Sequence, residues 1–177
     1  MRQLGQFIPA AMLALTLAGL PTLILAQADG EVITKQYNDG SVYEGTFKDG
    51  LQDGIGTYRL PSGFEYEGEW VKGQIEGNGR ARYPNGSVYE GRFLAGKPDG
   101  QGKITYADGG SYEGQWTAGE ITGTGRAAYA DGSSYEGECL SGKHHGTGTH
   151  REGRGLVYEG TWLNGLKDGK GRLSYAD

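Results

Sequence analysis

The sequence predicts an all-β protein: an elongated, single-layer antiparallel meander of β-hairpins, preceded by a helical signal peptide. Three observations carry this reading. The word Tyr-Glu-Gly recurs at Tyr43, Tyr66, Tyr89, Tyr112, Tyr135 and Tyr158, always 23 residues apart. A fixed period of this length marks a repeat architecture. Turn words such as Asn85-Gly86 and Asp131-Gly132 punctuate the units, and these residues tolerate the positive φ of hairpin turns. Beyond residue 30 helix formers are sparse, whereas Tyr, Thr and Trp are plentiful, which favours strands.

The chain opens on different material. Arg2 gives a short positive start, Phe7 to Leu25 is a nearly uncharged apolar run, and Ala26-Gln27-Ala28 fits a small-x-small cleavage site. Residues 1–28 are therefore read as a secretory signal peptide cut before Asp29. The alternative is an uncleaved membrane anchor, because the run approaches spanning length. Export to the periplasm or the extracellular space is expected. Residues 29–42 supply a lead-in strand from Glu31 to Tyr37 and a half repeat, since Tyr37-Asn38-Asp39-Gly40 matches Tyr83-Pro84-Asn85-Gly86. Six repeats follow: 43–65, 66–88, 89–111, 112–134, 135–157 and 158–177.

With each opening tyrosine as position 0, position 4 is Phe47, Trp70, Phe93, Trp116, Cys139 and Trp162. Positions 7, 11 and 13 are always Gly. The expected strands run from 0 to 4 and from 13 to 17, joined by a long turn such as Val71 to Asn78. Centring that turn between positions 8 and 9, and the next on position 20, pairs 4 with 13, 2 with 15 and 0 with 17 on both sides. Alternation then puts the aromatic rings at positions 0 and 4 on one face with the position-13 glycines. Rings lying on bare glycine cover what the glycine exposes, so a side chain at Gly102 would meet Phe93 and Trp116. The other face carries charge. Position 1 is always Glu, opposite position 16 (Arg59, Arg82 and Arg151), and position 3 meets 14, giving Glu69 with Arg80 and Arg126 with Glu138.

Composition excludes several classes. The 35 Gly fall at a spacing of 23 and not three, so the chain is not collagen. Formal charge is −5, and removing Arg2 leaves 16 basic against 22 acidic residues. That balance disfavours nucleic acid, which needs a basic footprint, and gives no global attraction to anionic lipid. Cys139 is the only cysteine, so an intrachain disulfide is excluded and an intermolecular one stays open. Gly-x-Gly pairs such as Gly54-Ile55-Gly56 open strands, not helices, and fail the context a phosphate loop needs. The nucleophile word Gly-x-Ser-x-Gly does not occur. Carboxylates such as Glu65 and Glu67 sit on an open sheet where nothing excludes water. No catalytic residue, cofactor or enzymatic activity is expected. Repeat five holds Cys139, His144, His145 and His150, all of metal-ligand type. No carboxylate pattern completes the set, so a diverged repeat is preferred to a metal site.

Tyr-Glu-Gly-x-aromatic-x-x-Gly-x-x-x-Gly-x-Gly at this spacing resembles the MORN repeat. Tyr66 to Gly79 and Tyr112 to Gly125 match it well, and the resemblance spans Tyr43 to Asp177. Departures are Cys139 and Glu152 in repeat five and Leu60 in repeat one. The resemblance implies an elongated, curved single-layer sheet. In the family such arrays occur in junctophilins, in plant phosphatidylinositol-phosphate kinases and beside methyltransferase domains. The roles it implies are membrane-lipid contact, dimerisation and protein scaffolding. No kinase or methyltransferase domain is expected among the residues outside the repeats.

Positions 5, 6, 8, 9 and 10 vary most and are expected in the long turn, along one rim: Leu51, Gln74, Lys97, Glu120, Lys143 and Leu166 at position 8. A constant frame with a changing rim suits an extended protein partner. The expected function is a non-catalytic exported scaffold for protein binding. The alternative is peripheral membrane or phospholipid binding through the aromatic face, read as an exposed apolar stripe. The last strand, Gly171 to Tyr175, is expected as an open edge, which seeks pairing. Either the chain assembles edge to edge into a homo-oligomer, or it is a piece of a longer array. Intact-mass analysis of the exported protein is expected to give an N-terminus at Asp29; a mass retaining residues 1–28 rejects cleavage.

Overall fold

Each repeat builds two strands of unequal length, seven residues and then nine. The computed structural model describes residues 30–175, and the expected signal peptide lies outside them. A lead-in strand, β1 (Val32–Gln36), precedes six hairpins. These are β2 (Val42–Lys48) with β3 (Leu51–Arg59), β4 (Glu65–Val71) with β5 (Gln74–Arg82), and β6 (Val88–Leu94) with β7 (Lys97–Thr105). Then come β8 (Ser111–Thr117) with β9 (Glu120–Ala128), β10 (Ser134–Leu140) with β11 (Lys143–Arg151), and β12 (Val157–Leu163) with β13 (Leu166–Ser174). All thirteen lie in one open antiparallel sheet in chain order. Among the described residues there is no helix.

The expected eight-residue turn is instead a two-residue one. Position 5 pairs with position 8, as in Lys48 with Leu51 and Val71 with Gln74. Positions 6 and 7 carry the bend, with φ of 50° at Asp49 and 77° at Gly50. Two successive positive φ values of this size belong to the I′ turn, whose twist matches that of the flanking strands. The surplus residues are absorbed at position 11, where Gly54 takes φ of 90°. There the register within the hairpin jumps, from Gly45–Gly56 to Phe47–Gln52. This bulge recurs in every hairpin and glycine at its αL position is what allows it.

The pairing is therefore two residues tighter than expected. Position 0 faces 15 and position 2 faces 13, both within a hairpin (Tyr43–Tyr58, Gly45–Gly56) and between hairpins (Tyr66–Tyr58, Gly68–Gly56). Agreement of the two sides holds, but for different partners. The glycines at positions 2 and 13 are thus directly opposed, and the tyrosine of the same repeat lies across them. Its hydroxyl donates to the carbonyl of position 3: Tyr43 to Thr46, Tyr66 to Glu69 and Tyr89 to Arg92, each at 3.0 Å. A Cβ on Gly102 would fall inside the Tyr89 ring and hydroxyl, not against Phe93 and Trp116.

The position-4 ring wedges between two of these tyrosines. Trp70 meets Tyr43 at 5.1 Å and Tyr66 at 5.7 Å between ring centres, both edge to face. Phe93 does the same with Tyr66 and Tyr89, at 5.1 and 5.0 Å. Indole Nε1 of Trp70, Trp116 and Trp162 donates to the carbonyls of Gly56, Gly102 and Gly148 in the preceding hairpin. The result corrects the expectation of an exposed apolar stripe. Tyr43, Tyr66, Tyr89, Tyr112 and Tyr135 are fully buried, and Phe47, Trp70, Phe93, Trp116, Tyr158 and Trp162 nearly so. Rings lying flat on glycine and against each other close a single layer without a second sheet. Three of the four tyrosines at position 17 (Tyr83, Tyr106 and Tyr129) fall just beyond the strand ends and pack on the same cluster, whereas Tyr175 is exposed.

The shifted register also changes the charged face. Position 14 pairs with position 1, so Arg80 bonds Glu90 at 3.0 Å and Arg126 bonds Glu136 at 3.1 Å, rather than Glu69 and Glu138. Arg59 reaches Glu65 at 3.2 Å and, diagonally, Glu44 at 3.6 Å. All are exposed and each contributes about 0–1 kcal/mol.

Gly102→Val is expected to destabilise by at least about 3 kcal/mol in urea unfolding, through overpacking on Tyr89. Gln101→Val, one residue away on the exposed face, is expected to stay within about 0.5 kcal/mol of wild type. Equal stability of the two variants would contradict the tyrosine-over-glycine packing.

Candidate functional site

Two regions differ from repeat to repeat: the row of hairpin tips, and hairpin five. The tips form a continuous rail. The turn glycine of each hairpin donates its N–H to the position-9 carbonyl of the hairpin before: Gly73 to Gln52 (2.8 Å), Gly96 to Ile75 (3.0 Å), Gly119 to Pro98 (2.8 Å), Gly142 to Ile121 (3.0 Å) and Gly165 to His144 (2.9 Å). Asp53 and Asp99 add carboxylate bonds to the N–H groups of Lys72 and Ala118, both at 3.1 Å. Backbone bonds of this kind fix the spacing of the tips.

The tight turn places the expected rim residues at strand starts. Gln74, Lys97, Glu120 and Leu166 are exposed there, while Leu51 and Lys143 are half-buried. Position 9 does not belong to the rim. Gln52, Pro98 and Ile121 are buried on the aromatic side, because the bulge turns that residue inward opposite position 4. Position 5 keeps the rim place expected of it, as the last residue of the shorter strand and not as part of a long turn. Val71, Leu94, Leu140 and Leu163 stand 42–49% exposed, each directly opposite a position-8 residue. The signal was present in the sequence: four of six repeats carry an aliphatic residue at position 5, one step past a buried ring and hence on the opposite face.

Hairpin five breaks the ring stack. Cys139 stands where the others have an aromatic, buried and directly opposite His144. His144 supplies the missing ring: it stacks on Tyr135 at 3.6 Å and 7° and meets the edge of Trp162 at 4.9 Å. Its Nε2 and the Tyr129 hydroxyl share a hydrogen bond of 2.7 Å. His150 lies 6.2 Å from His144, ring to ring, and His145 sits at position 10, half-buried. Among the described residues no three His, Cys, Asp or Glu side chains form a metal-holding group. Burial pushes the Cys139 thiol up to about 12, which leaves it a poor nucleophile, and pushes His144 down to about 4, with His150 adding to the effect. An open groove of about 890 Å³ runs beside them, walled by Tyr129, His144, His150, Glu152 and Trp162. It opens where Glu152 replaces the position-17 tyrosine that covers this ground in repeats two, three and four.

A family model described as the MORN repeat matches residues 43–64, 66–88, 89–111, 112–134 and 158–177, more than half of the chain. It passes over 135–157, the hairpin with Cys139 and Glu152, although that segment pairs as the others do. No curated protein matches the chain. Solved structures do match, and two of them are complexes with peptides. The SAS-4 (dCPAP) TCP domain in complex with a proline-rich motif of Ana2 (dSTIL), from Drosophila melanogaster, is 13% identical with a TM-score of 0.47; the match covers 91% of this chain and 97% of that one. The TCP10 domain of Danio rerio CPAP in complex with a STIL peptide is 16% identical with a TM-score of 0.30, covering 82% and 84%.

His144 makes hairpin five acid-sensitive. The unfolded chain takes up the imidazole proton near 6.5, the folded chain only near 4, so this group removes stability as pH falls through that window. His144→Ile places there the residue found at the same position in repeats two and four, Ile75 and Ile121. The wild-type melting temperature is expected to drop more than that of the variant between about pH 7 and about pH 4.5. Equal drops would remove His144 from the acid response.

Proposed function

The chain belongs to the MORN-repeat family, and from that premise we propose that it is a non-catalytic, exported repeat scaffold that binds an extended protein partner along its hairpin tips. The observation that carries this reading is the row of exposed aliphatic side chains at position 5, paired with the variable residues of position 8. Successive tips are two strands apart, about 10 Å at the usual strand spacing. An extended peptide advances about 3.3 Å per residue, so every third residue of such a partner meets a tip. Val71, Leu94, Leu140 and Leu163 supply apolar contact. Lys48, Lys97, Glu120 and Lys143 supply a charge pattern that changes from tip to tip, and a changing pattern on a constant frame is how a solenoid distinguishes partners.

Export rests on the apolar leader and the Ala26-Gln27-Ala28 site. Membrane contact through the aromatic face has lost the exposed stripe it would need, because those rings are covered by one another and by glycine backbone. The tips keep Val71, Leu94, Leu140 and Leu163 open to solvent.

In cross-linking pull-downs from the native extracytoplasmic fraction, the double variant Leu94→Asp with Leu140→Asp is expected to lose the wild-type protein partner. Both residues are exposed, so its melting temperature is expected to stay within about 2 °C of wild type. Retention of the same partner by a folded double variant rejects the tip rail as the binding surface.

A further inference from the structure

The tips of hairpins three, four and five alternate in charge on one fixed spacing. Lys97, Glu120 and Lys143 hold the same place, the first residue of the longer strand. Each lies directly across from the last residue of the shorter strand, Leu94, Thr117 and Leu140 in turn. Directly opposed residues share a face of the sheet, and the next residue along (Pro98, Ile121 or His144) turns inward to the rings. The six tip side chains therefore stand on the face away from the aromatic cluster. Lys97 and Glu120 are exposed there, and Lys143 is half-buried.

The two lysines have no internal counter-ion. The ion pairs among the described residues are made by Arg59, Arg80 and Arg126, and neither lysine takes part in one. Asp99, two residues from Lys97, has its carboxylate bonded to the N–H of Ala118. Glu138, opposite the start of the same strand as Lys143, bonds the N–H and hydroxyl of Thr147. The turn glycines of the following hairpins, Gly119 and Gly165, lie against Lys97 and Lys143 without a side chain to cover them. Glu120 between them is oriented, since its carboxylate accepts the Ser141 hydroxyl of the next tip at 3.0 Å.

The spacing turns this charge order into a sequence preference. Neighbouring strands lie about 4.8 Å apart, so Lys97 is about 10 Å from Glu120 and about 19 Å from Lys143 along the rail. An extended chain advances about 3.3 Å per residue, which makes the two spans about three and about six residues. A cation, an anion and a cation in that order read the same from either end. The complementary segment is thus specified whichever way it runs.

We propose that tips three to five bind an extended segment of a partner protein with the pattern acid-x-x-base-x-x-acid, whose aliphatic residues beside the acids meet Leu94 and Leu140. The inference rests on the tip-rail reading and names the chemistry of its occupant. A segment with the opposite order brings like charges together at all three tips, which is how such a rail rejects other partners.

The test is fluorescence anisotropy of the labelled peptide Leu-Glu-Leu-Thr-Lys-Thr-Leu-Glu-Leu, titrated with the purified protein. Saturable binding that weakens with added salt is expected. Leu-Thr-Glu-Leu-Lys-Leu-Glu-Thr-Leu, of the same composition with its acids drawn inward, is expected to bind at least about fivefold more weakly. The triple variant Lys97→Glu, Glu120→Lys, Lys143→Glu is expected to lose the first peptide at least about tenfold and to prefer Leu-Lys-Leu-Thr-Glu-Thr-Leu-Lys-Leu. If that variant melts early, Lys97→Gln with Lys143→Gln replaces it, and unchanged affinity there overturns the proposal. No binding at about 1 mM protein, equal binding of the two isomeric peptides, or no exchange of preference in a folded triple variant would each overturn it as well. So would a dimer, seen by light scattering, that the triple variant dissolves and the peptide does not displace, since a second copy then owns these tips. In the pull-down, a native partner kept by the triple variant but lost by Leu94→Asp with Leu140→Asp would overturn the charge pattern and leave the tip rail standing.

Discussion

The structure depends on one contact: a tyrosine ring lying flat across two opposed glycines. Removing both β-carbons lets the ring approach the backbone, and the ring in turn shields peptide groups that glycine would leave to water. The hydroxyl is satisfied by the position-3 carbonyl, which the bulge takes out of register with the partner strand. The position-4 ring then finds a slot between two such tyrosines, and edge-to-face pairs add about 0.5–1.5 kcal/mol each beyond area burial. A core is thereby made inside one layer. Two stacked sheets need some 10 Å between them; here the rings lie almost within the sheet.

That contact explains which parts of the fold were legible in the sequence. The period, the thirteen-strand meander, the aromatic side and the lead-in strand follow from residues that repeat. The register does not. Requiring both turns to give the same partners fixes only the distance between turn centres, so moving both centres together by one residue preserves the agreement. The true solution, with Tyr43 facing Tyr58, lies one such step from the expected one. The turn itself was hidden because its first residue is Asp, Lys, Ala, Ala, Ser or Asn. Only Asn164 and Asp49 announce a positive φ; Ala95 and Ala118 adopt it at φ of 48° and 51° under the demand of the sheet. With the turn misplaced, position 9 is expected on the surface, whereas the structure buries it opposite position 4, and position 5 is expected in a loop, whereas it ends a strand.

The departures of repeat five are compensated locally. Losing the ring at Cys139 would leave Tyr135 uncovered on one side; His144, from the strand opposite, takes that place. The replacement covers Tyr135 with a titratable ring, stacked on Tyr135 and edge-on to Trp162, while the stack stays open between Tyr112 and Tyr135. The sequence flagged these residues by type, and only the register showed that Cys139 and His144 answer one another as packing partners. Glu152 is a different change, since it leaves ground open beside Trp162 instead of filling it.

The chain-order sheet has a mechanical consequence. Load applied between β1 and β13 runs across the strands, along the direction of their hydrogen bonds. Such a pull opens bonds pair by pair, as a zipper parts, and does not shear a whole strand at once. Each hairpin contacts only its neighbours, so the array would yield in small equal steps and lengthen by one repeat at a time. A tether of this kind gives way gradually under tension, and any cargo held on still-folded tips stays attached while the end of the sheet peels.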